Sequence, residues 1–298
     1  MANNVAIRTQ GLVKFYGDFK ALHGVDLDVQ QGEIFGFLGP NGAGKTTTIR
    51  CLLDLIHRSG GEVSVLGIDP QDDPEAVQAR VGYMPGELHL DESLTAEGLL
   101  RYFNALRGKR ADWSYISELA ERLSLDIKRP IRNLSHGNKQ KVGIVQTLMH
   151  KPELVIMDEP TQGLDPLVQQ EVLRMLKEQQ AEGATVFFSS HIMSEVESIA
   201  ERVGIIRGGR MVEVADPRTL GARGLHRARV RFIDSVDVSK LSRLKGVEIL
   251  SQDNGQEVYL ELEGEIDPLI KELAKYKVSG FETERPSLEE VFLAYYEN

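Results

Sequence analysis

Cysteine is nearly absent from this 298-residue chain, which has one, Cys51. A single thiol excludes an internal disulfide and fits a reducing compartment; it reads as an inert buried group on a helix. Long apolar runs are missing as well. The best, LVIM at 154–157 and ATVFF at 184–188, are strand-length, far short of the roughly 20 residues that cross a bilayer. The opening MANNVAIRTQ has no basic segment followed by an apolar stretch, so no export signal is expected. Basic excess is missing too. Lys and Arg number 35 against 45 Asp and Glu, a formal net charge of −10. That balance lacks the overall footprint of a nucleic-acid binder, although it leaves room for a local basic face. What remains is an ordinary globular composition, 41% apolar and 27% charged, in a chain long enough for two domains.

Up to residue 66 the pattern is strands and turns, with one helix over 46–56 after the apolar strand GEIFGFLG (32–39). Leucines and aromatics at helical spacing mark 95–108 and 114–125. Helix 138–150, strand 153–158, helix 166–182, strand 184–190 and helix 194–202 then alternate. Such alternation predicts a mainly parallel sheet covered on both faces. After short strands at 203–216 and a link at Pro217, the pattern becomes β-α-β-β-α-β. Its strands fall at 227–234, 247–252, 256–264 and 280–286, its helices at 238–246 and 268–277. Asp253-Asn254-Gly255 suits the central turn, and the order predicts a ferredoxin-like unit. A last helix is expected from Ser287, capped by Glu290, with Leu288, Val291, Phe292 and Tyr295 on one stripe. The expected domains are 1–220, with a helical subdomain at about 90–150, and 221–298.

Two clusters carry chemistry. Gly39, Pro40, Asn41, Gly42, Ala43, Gly44, Lys45 and Thr46 spell GPNGAGKT, which matches G-x-x-x-x-G-K-[ST]. Glycines let the backbone bend so that successive N–H groups face phosphates, and the following helix, with Thr47 in its first turn, adds its positive end. Lys45 reaches the β- and γ-phosphates and the Thr46 hydroxyl ligates Mg²⁺. Downstream, LVIMDEP (154–160) ends an apolar strand in two carboxylates. Asp158 suits Mg²⁺, directly or through water, and Glu159 suits orienting and deprotonating the attacking water.

A third motif narrows the class. LSHGNKQ (134–140) resembles the LSGGQ signature of ABC ATPases. Further elements follow in that family's order. Tyr16 in KFYGDFKAL matches the aromatic that stacks on adenine, GLDP (163–166) matches the D-loop with Asp165, and SSH (189–191) matches the switch histidine, His191. The resemblance spans residues 1 to about 215. It implies an α/β P-loop NTPase of ABC type, with a mainly parallel sheet, an antiparallel β subdomain and a helical subdomain, followed by the small α+β unit. It also implies ATP and Mg²⁺ as ligands and Glu159, His191 and Lys45 as the catalytic group. Ser135 and Gly137 would close over the γ-phosphate held by a second ATPase subunit, in a head-to-tail dimer of like or unlike chains. Separate integral-membrane permease subunits complete the implied machine, which holds this chain at the cytoplasmic face and couples hydrolysis to substrate movement, in the export direction. No nucleic-acid partner is expected. A soluble ABC ATPase acting on ribosomes or DNA is the alternative, disfavoured by one P-loop, no long heptad run and the acidic balance.

The chain departs from that pattern in places. His136 and Asn138 replace the first glycine and the glutamine of the signature. In VGYMPGE (81–87) the residue after the proline is Gly86, where the family has glutamine or glutamate, and Glu87 follows. Glu87 either approaches the metal through water or faces a permease. The 286–293 stretch PSLEEVFL resembles the tail of bacterial drug- and antibiotic-exporter ATPase subunits. Between Arg207 and Arg231 seven arginines face two acids, Glu213 and Asp216. Such a run is a solvated linker or a contact for anionic headgroups or an acidic partner.

Overall fold

The structure is a computed structural model and describes residues 4–108, 111–217, 226–262 and 266–284. The chain forms two compact units, Met1–Ala215 and Asp216–Asn298.

In the first unit, β1 (Val5–Tyr16), β2 (Phe19–Gln30) and β4 (Gly60–Val65) make an antiparallel sheet of order β2-β1-β4. The larger sheet has the order β5-β6-β7-β3-β8-β9, from β3 (Ile34–Leu38), β5 (Val81–Met84), β6 (Leu154–Asp158), β7 (Thr185–Ser190), β8 (Arg202–Arg207) and β9 (Arg210–Ala215). All its pairings are parallel except β8–β9. IFGFL, LVIMD and TVFFSS are buried along their whole length. Such near-continuous apolar runs are what strands covered on both faces require. Phe35 stacks on Phe187 with ring centroids 5.8 Å apart.

Register positions the chemistry. Leu38 pairs with Ser190 and Asp158 with Ser189, so β3, β7 and β6 end in one row. The loops leaving that row carry GPNGAGKT, Glu159 with the GLDP stretch, and His191, at the carboxyl edge where open α/β sheets bind ligands.

Helices α1 (Lys45–Leu52), α2 (Pro74–Arg80), α3 (Ala96–Leu106), α4 (Trp113–Arg122), α5 (His136–Leu148), α6 (Pro166–Ala181) and α7 (Met193–Ile199) complete the unit. Most begin on a side-chain cap. The Thr95 hydroxyl accepts from Gly98 N–H, and Asp112 and Asp165 do the same for α4 and α6, the latter with Pro166 at the first position. The helix expected over 46–56 stops at Leu52. Asp54 turns into left-handed space at φ 49° while Leu55 N–H donates back to Arg50 O, closing the helix end. Cys51 is buried, as expected, and burial pushes its thiol up to about 11.

The second unit has β10 (His226–Phe232), β11 (Val247–Asp253), β12 (Glu257–Leu262), α8 (Asp267–Leu273) and β13 (Val278–Glu284). Its sheet order is β11-β12-β10-β13, with every pair antiparallel. Strand β12 therefore lies between β10 and β11, which is the split arrangement of a ferredoxin-like fold. Val230, Phe232, Val258 and Leu260 pack with Leu269 and Leu273 of α8. The helix expected over 238–246 is absent. A single 3₁₀ turn, Val238–Lys240, takes its place. Asp237 accepts from Ser239 N–H, and the Ser242 hydroxyl donates to Ser239 O; such local bonds compete with helix formation. Of the arginine run, Arg229 pairs with Glu257 at 2.5 Å and Arg231 with Glu282, a charged sheet face in water. Arg218, Arg223 and the helix expected from Ser287 lie outside the described residues.

Candidate nucleotide site

The loop after β3 wraps back onto the sheet. A Cβ on Gly39 would meet the Ile206 carbonyl oxygen at 2.5 Å, and Gly44 sits at φ 111° as the residue before α1. Neither position accepts a side chain. Lys45 follows, 5% exposed. Its ammonium donates to Gly39 O at 2.5 Å and Pro40 O at 3.2 Å, and lies 3.2 Å from Glu159 Oε1. All three of its N–H bonds are thus engaged at the mouth of the loop.

The loop after β6 supplies the carboxylates. Asp158 is 1% exposed and accepts the Thr46 hydroxyl at 2.6 Å and the Ser189 hydroxyl at 2.5 Å. Ser189 Oγ also accepts Glu159 N–H at 3.1 Å, so one serine aligns both acids. Glu159 adopts φ 51°, a left-handed conformation that costs a non-glycine residue about 1–2 kcal/mol. In that turn its carboxylate bridges two side-chain nitrogens: Lys45 Nζ on Oε1 and His191 Nδ1 on Oε2 at 2.9 Å. The His191 side chain is 40% exposed, and its Nδ1 is taken by Glu159.

A cleft of about 570 Å³ opens over the loop, lined by Tyr16, Phe19, His23, Pro40, Asn41, Gly42, Gly44 to Thr47 and Glu159, but not by Gly39 or the buried Ala43. Tyr16 is 45% and Phe19 68% exposed, two aromatic rings flanking the β1–β2 turn and left to water. Phe19 was legible only as one more aromatic in KFYGDFKAL, and Ser189 only as the serine two before His191. Ser135, Gly137 and Asp165 do not line this cleft. Ser135 is exposed and caps α5 by accepting Asn138 N–H at 3.3 Å, while Asp165 caps α6. Gly137 lies against the Gly163 carbonyl, so that a Cβ there would meet it at 2.9 Å. The signature and the D-loop thus touch each other, away from the phosphate loop's cleft.

Comparison with known proteins agrees with this geometry. Residues 22–162 match the "ABC transporter" family, and residues 223–296 match "ATP-binding protein DrrA1-3-like, C-terminal domain". The bacitracin transport ATP-binding protein BcrA of Bacillus licheniformis is 40% identical over 215 residues, covering 70% of this chain and 68% of its own length. This chain belongs to the ABC transporter family. The linearmycin resistance ATP-binding protein LnrL of Bacillus subtilis (strain 168) is 35% identical over 226 residues, 73% of this chain and 71% of its own. A solved structure of an ATP-binding subunit of an ABC transporter superposes with a TM-score of 0.67 at 30% identity, covering 73% of this chain and 92% of that one. The ABC chain is accordingly an ATP-hydrolysing subunit of a transporter, and the ribosome- or DNA-directed alternative is not favoured. No helix among its described residues is long and apolar enough to cross a membrane.

Proposed function

We propose that this subunit drives export of an antibiotic-like compound through separate permease subunits, with ATP held between two ATPase subunits arranged head to tail. The observation that supports the chemistry best is the Glu159 carboxylate, set between Lys45 and His191 beside the Thr46–Asp158 pair. Lys45 exchanges its carbonyl partners for the β- and γ-phosphates when ATP enters. Glu159, released from Lys45, accepts the proton of the water that attacks the γ-phosphorus. His191, oriented through Nδ1, presents Nε2 to the γ-phosphate. Tyr16 stacks on adenine, with Phe19 beside it. Gly39, Pro40, Asn41, Gly42, Ala43, Gly44 and Thr47 surround the phosphates.

The Thr46 hydroxyl and the Asp158 carboxylate are hard oxygen donors 2.6 Å apart, a pair that fits Mg²⁺ and would hold it beside the phosphates. When bound, the ion offsets phosphate charge. Ser135 and Gly137, exposed or half-buried and outside the chain's own cleft, suit a partner subunit's γ-phosphate. Asp165, exposed and capping α6, suits the same partner. Two copies of this chain would make two complete sites, since Glu159 and the signature core are both present; the permease would hold the pair at the cytoplasmic face of the membrane. Co-purification with a polytopic membrane protein tests the assignment, and pelleting with ribosomes instead would defeat it.

Gly86 lies against Asp158: a Cβ added there would meet Asp158 Oδ2 at 3.4 Å. Glycine leaves that approach bare, and the next side chain, Glu87, is exposed. Its carboxylate suits a basic residue of a permease better than the metal. Glu87→Ala should leave the ATPase rate of the isolated subunit at the parent value and lower it in the assembled transporter. Loss of Mg²⁺-dependent turnover in the isolated subunit would assign Glu87 to the metal instead.

The second unit reads as an accessory domain, and the ATP-binding domain as residues 1–220. Every nucleotide motif precedes residue 192. Deletion of 222–298 should therefore leave a folded core that binds ATP, with dimerisation or transport reduced more than binding. An aggregated core without nucleotide affinity in a binding titration would make the tail part of the main fold.

A further inference from the structure

Glu195, in the first turn of α7, is 6% exposed and does not line the nucleotide cleft. Its Oε1 accepts the Thr161 hydroxyl at 2.5 Å and its Oε2 the Ser190 hydroxyl at 2.7 Å. Thr161 is 2% and Ser190 1% exposed. Two hydroxyl bonds and a place in the N-terminal turn of α7 offset part of its lost hydration, but neither says what the link is for.

Its position does. Thr161 stands two residues after Glu159 and Ser190 one residue before His191. Ser190 Oγ also accepts Ile192 N–H at 2.9 Å, which pins the turn with His191 at its centre. Glu159 holds a left-handed conformation, φ 51°, of the kind that persists only where surrounding structure enforces it. One carboxylate therefore ties the loop leaving β6 to the last residue of β7, where the loop carrying His191 begins; Glu159 and His191, the pair in contact at 2.9 Å, are the sequence neighbours of the two tied residues. We infer that Glu195 is a positioning residue: it cross-links the two loops and sets the Glu159–His191 separation needed for turnover, without helping to hold the nucleotide. This rests on the reading of Glu159 as the base.

The test uses the full-length chain and three variants, Glu195→Ala, Glu195→Gln and Thr161→Val. Turnover is measured at saturating ATP with Mg²⁺, and affinity by titration with a fluorescent ATP analogue. Glu195→Ala should lower kcat by about tenfold to a hundredfold, the loss that a displacement near 1 Å causes, with the dissociation constant unchanged. Glu195→Gln keeps an acceptor for one hydroxyl and an N–H for the other's oxygen, and should recover most of kcat. Thr161→Val should fall between them. Parent-level kcat in Glu195→Ala, a dissociation constant that rises in step with the loss of kcat, or a glutamine variant as slow as alanine would each overturn the inference. If the alanine variant does not fold, Thr161→Val decides, and parent-level turnover in it overturns the inference. The underlying reading fails separately, by near-parent turnover in Glu159→Gln.

Discussion

Glu159→Gln should bind ATP normally and hydrolyse it at least about a hundredfold more slowly, within the 10²–10⁴ range of general-base losses. The amide keeps the shape of the side chain and removes the basic oxygen. Its Oε1 can still face Lys45, and its N–H can meet His191 Nδ1, which lies 2.9 Å from the carboxylate in the parent. The local turn at φ 51° should survive, because neither the Ser189 bonds to Glu159 N–H and Asp158 nor the Glu195–Thr161 bond involves the Glu159 side chain. Binding is therefore spared while proton transfer is lost. Steady-state phosphate release and an equilibrium nucleotide titration check the two halves. Near-parent phosphate release would remove Glu159 from the role of base.

Lys45→Ala should act in the opposite sense, on affinity. The change removes a buried ammonium, 5% exposed, that neutralises Glu159 at 3.2 Å. The triphosphate then meets an uncompensated carboxylate as well as losing its own cation. A charge-assisted hydrogen bond is worth about 1.5–3 kcal/mol, so the dissociation constant for ATP should rise by at least about tenfold to a hundredfold. Titration of the variant with ATP reads this directly. Unchanged affinity would show that the backbone N–H groups of the loop alone hold the phosphates.

Much of this is legible in the residues alone. The P-loop, the acidic strand end and the signature are contiguous, and their chemistry follows from residue type at fixed spacing. The parallel sheet was legible because helices and strands alternate with strongly different periods. Other features depend on contacts between distant segments. Glu159's left-handed turn, the role of Ser189 as a bridge to both acids and the Glu195 clamp arise only when β6 and β7 lie in register. Asp54 ended a helix that its apolar spacing extended to 56, because hydrophobic period does not register a chain reversal. In the second unit, Val238–Lys240 lost its helix to serine and aspartate side chains that bond locally. Leu241 is nevertheless buried, so the apolar spacing reported burial and not backbone conformation.

In the proposed assembly ATP is bound between two subunits, with Lys45 and Glu159 from one chain and Ser135 and Gly137 from the other. Sedimentation of the full-length Glu159→Gln chain tests it most directly. With ATP and Mg²⁺ the mass should be that of two chains, and with ADP that of one; Ser135→Arg, which fills the junction with a bulky cation, should abolish the ATP-dependent dimer. A chain of Glu159→Gln that stays monomeric at saturating ATP, or one whose dimer is indifferent to both nucleotide and Ser135→Arg, would contradict the account.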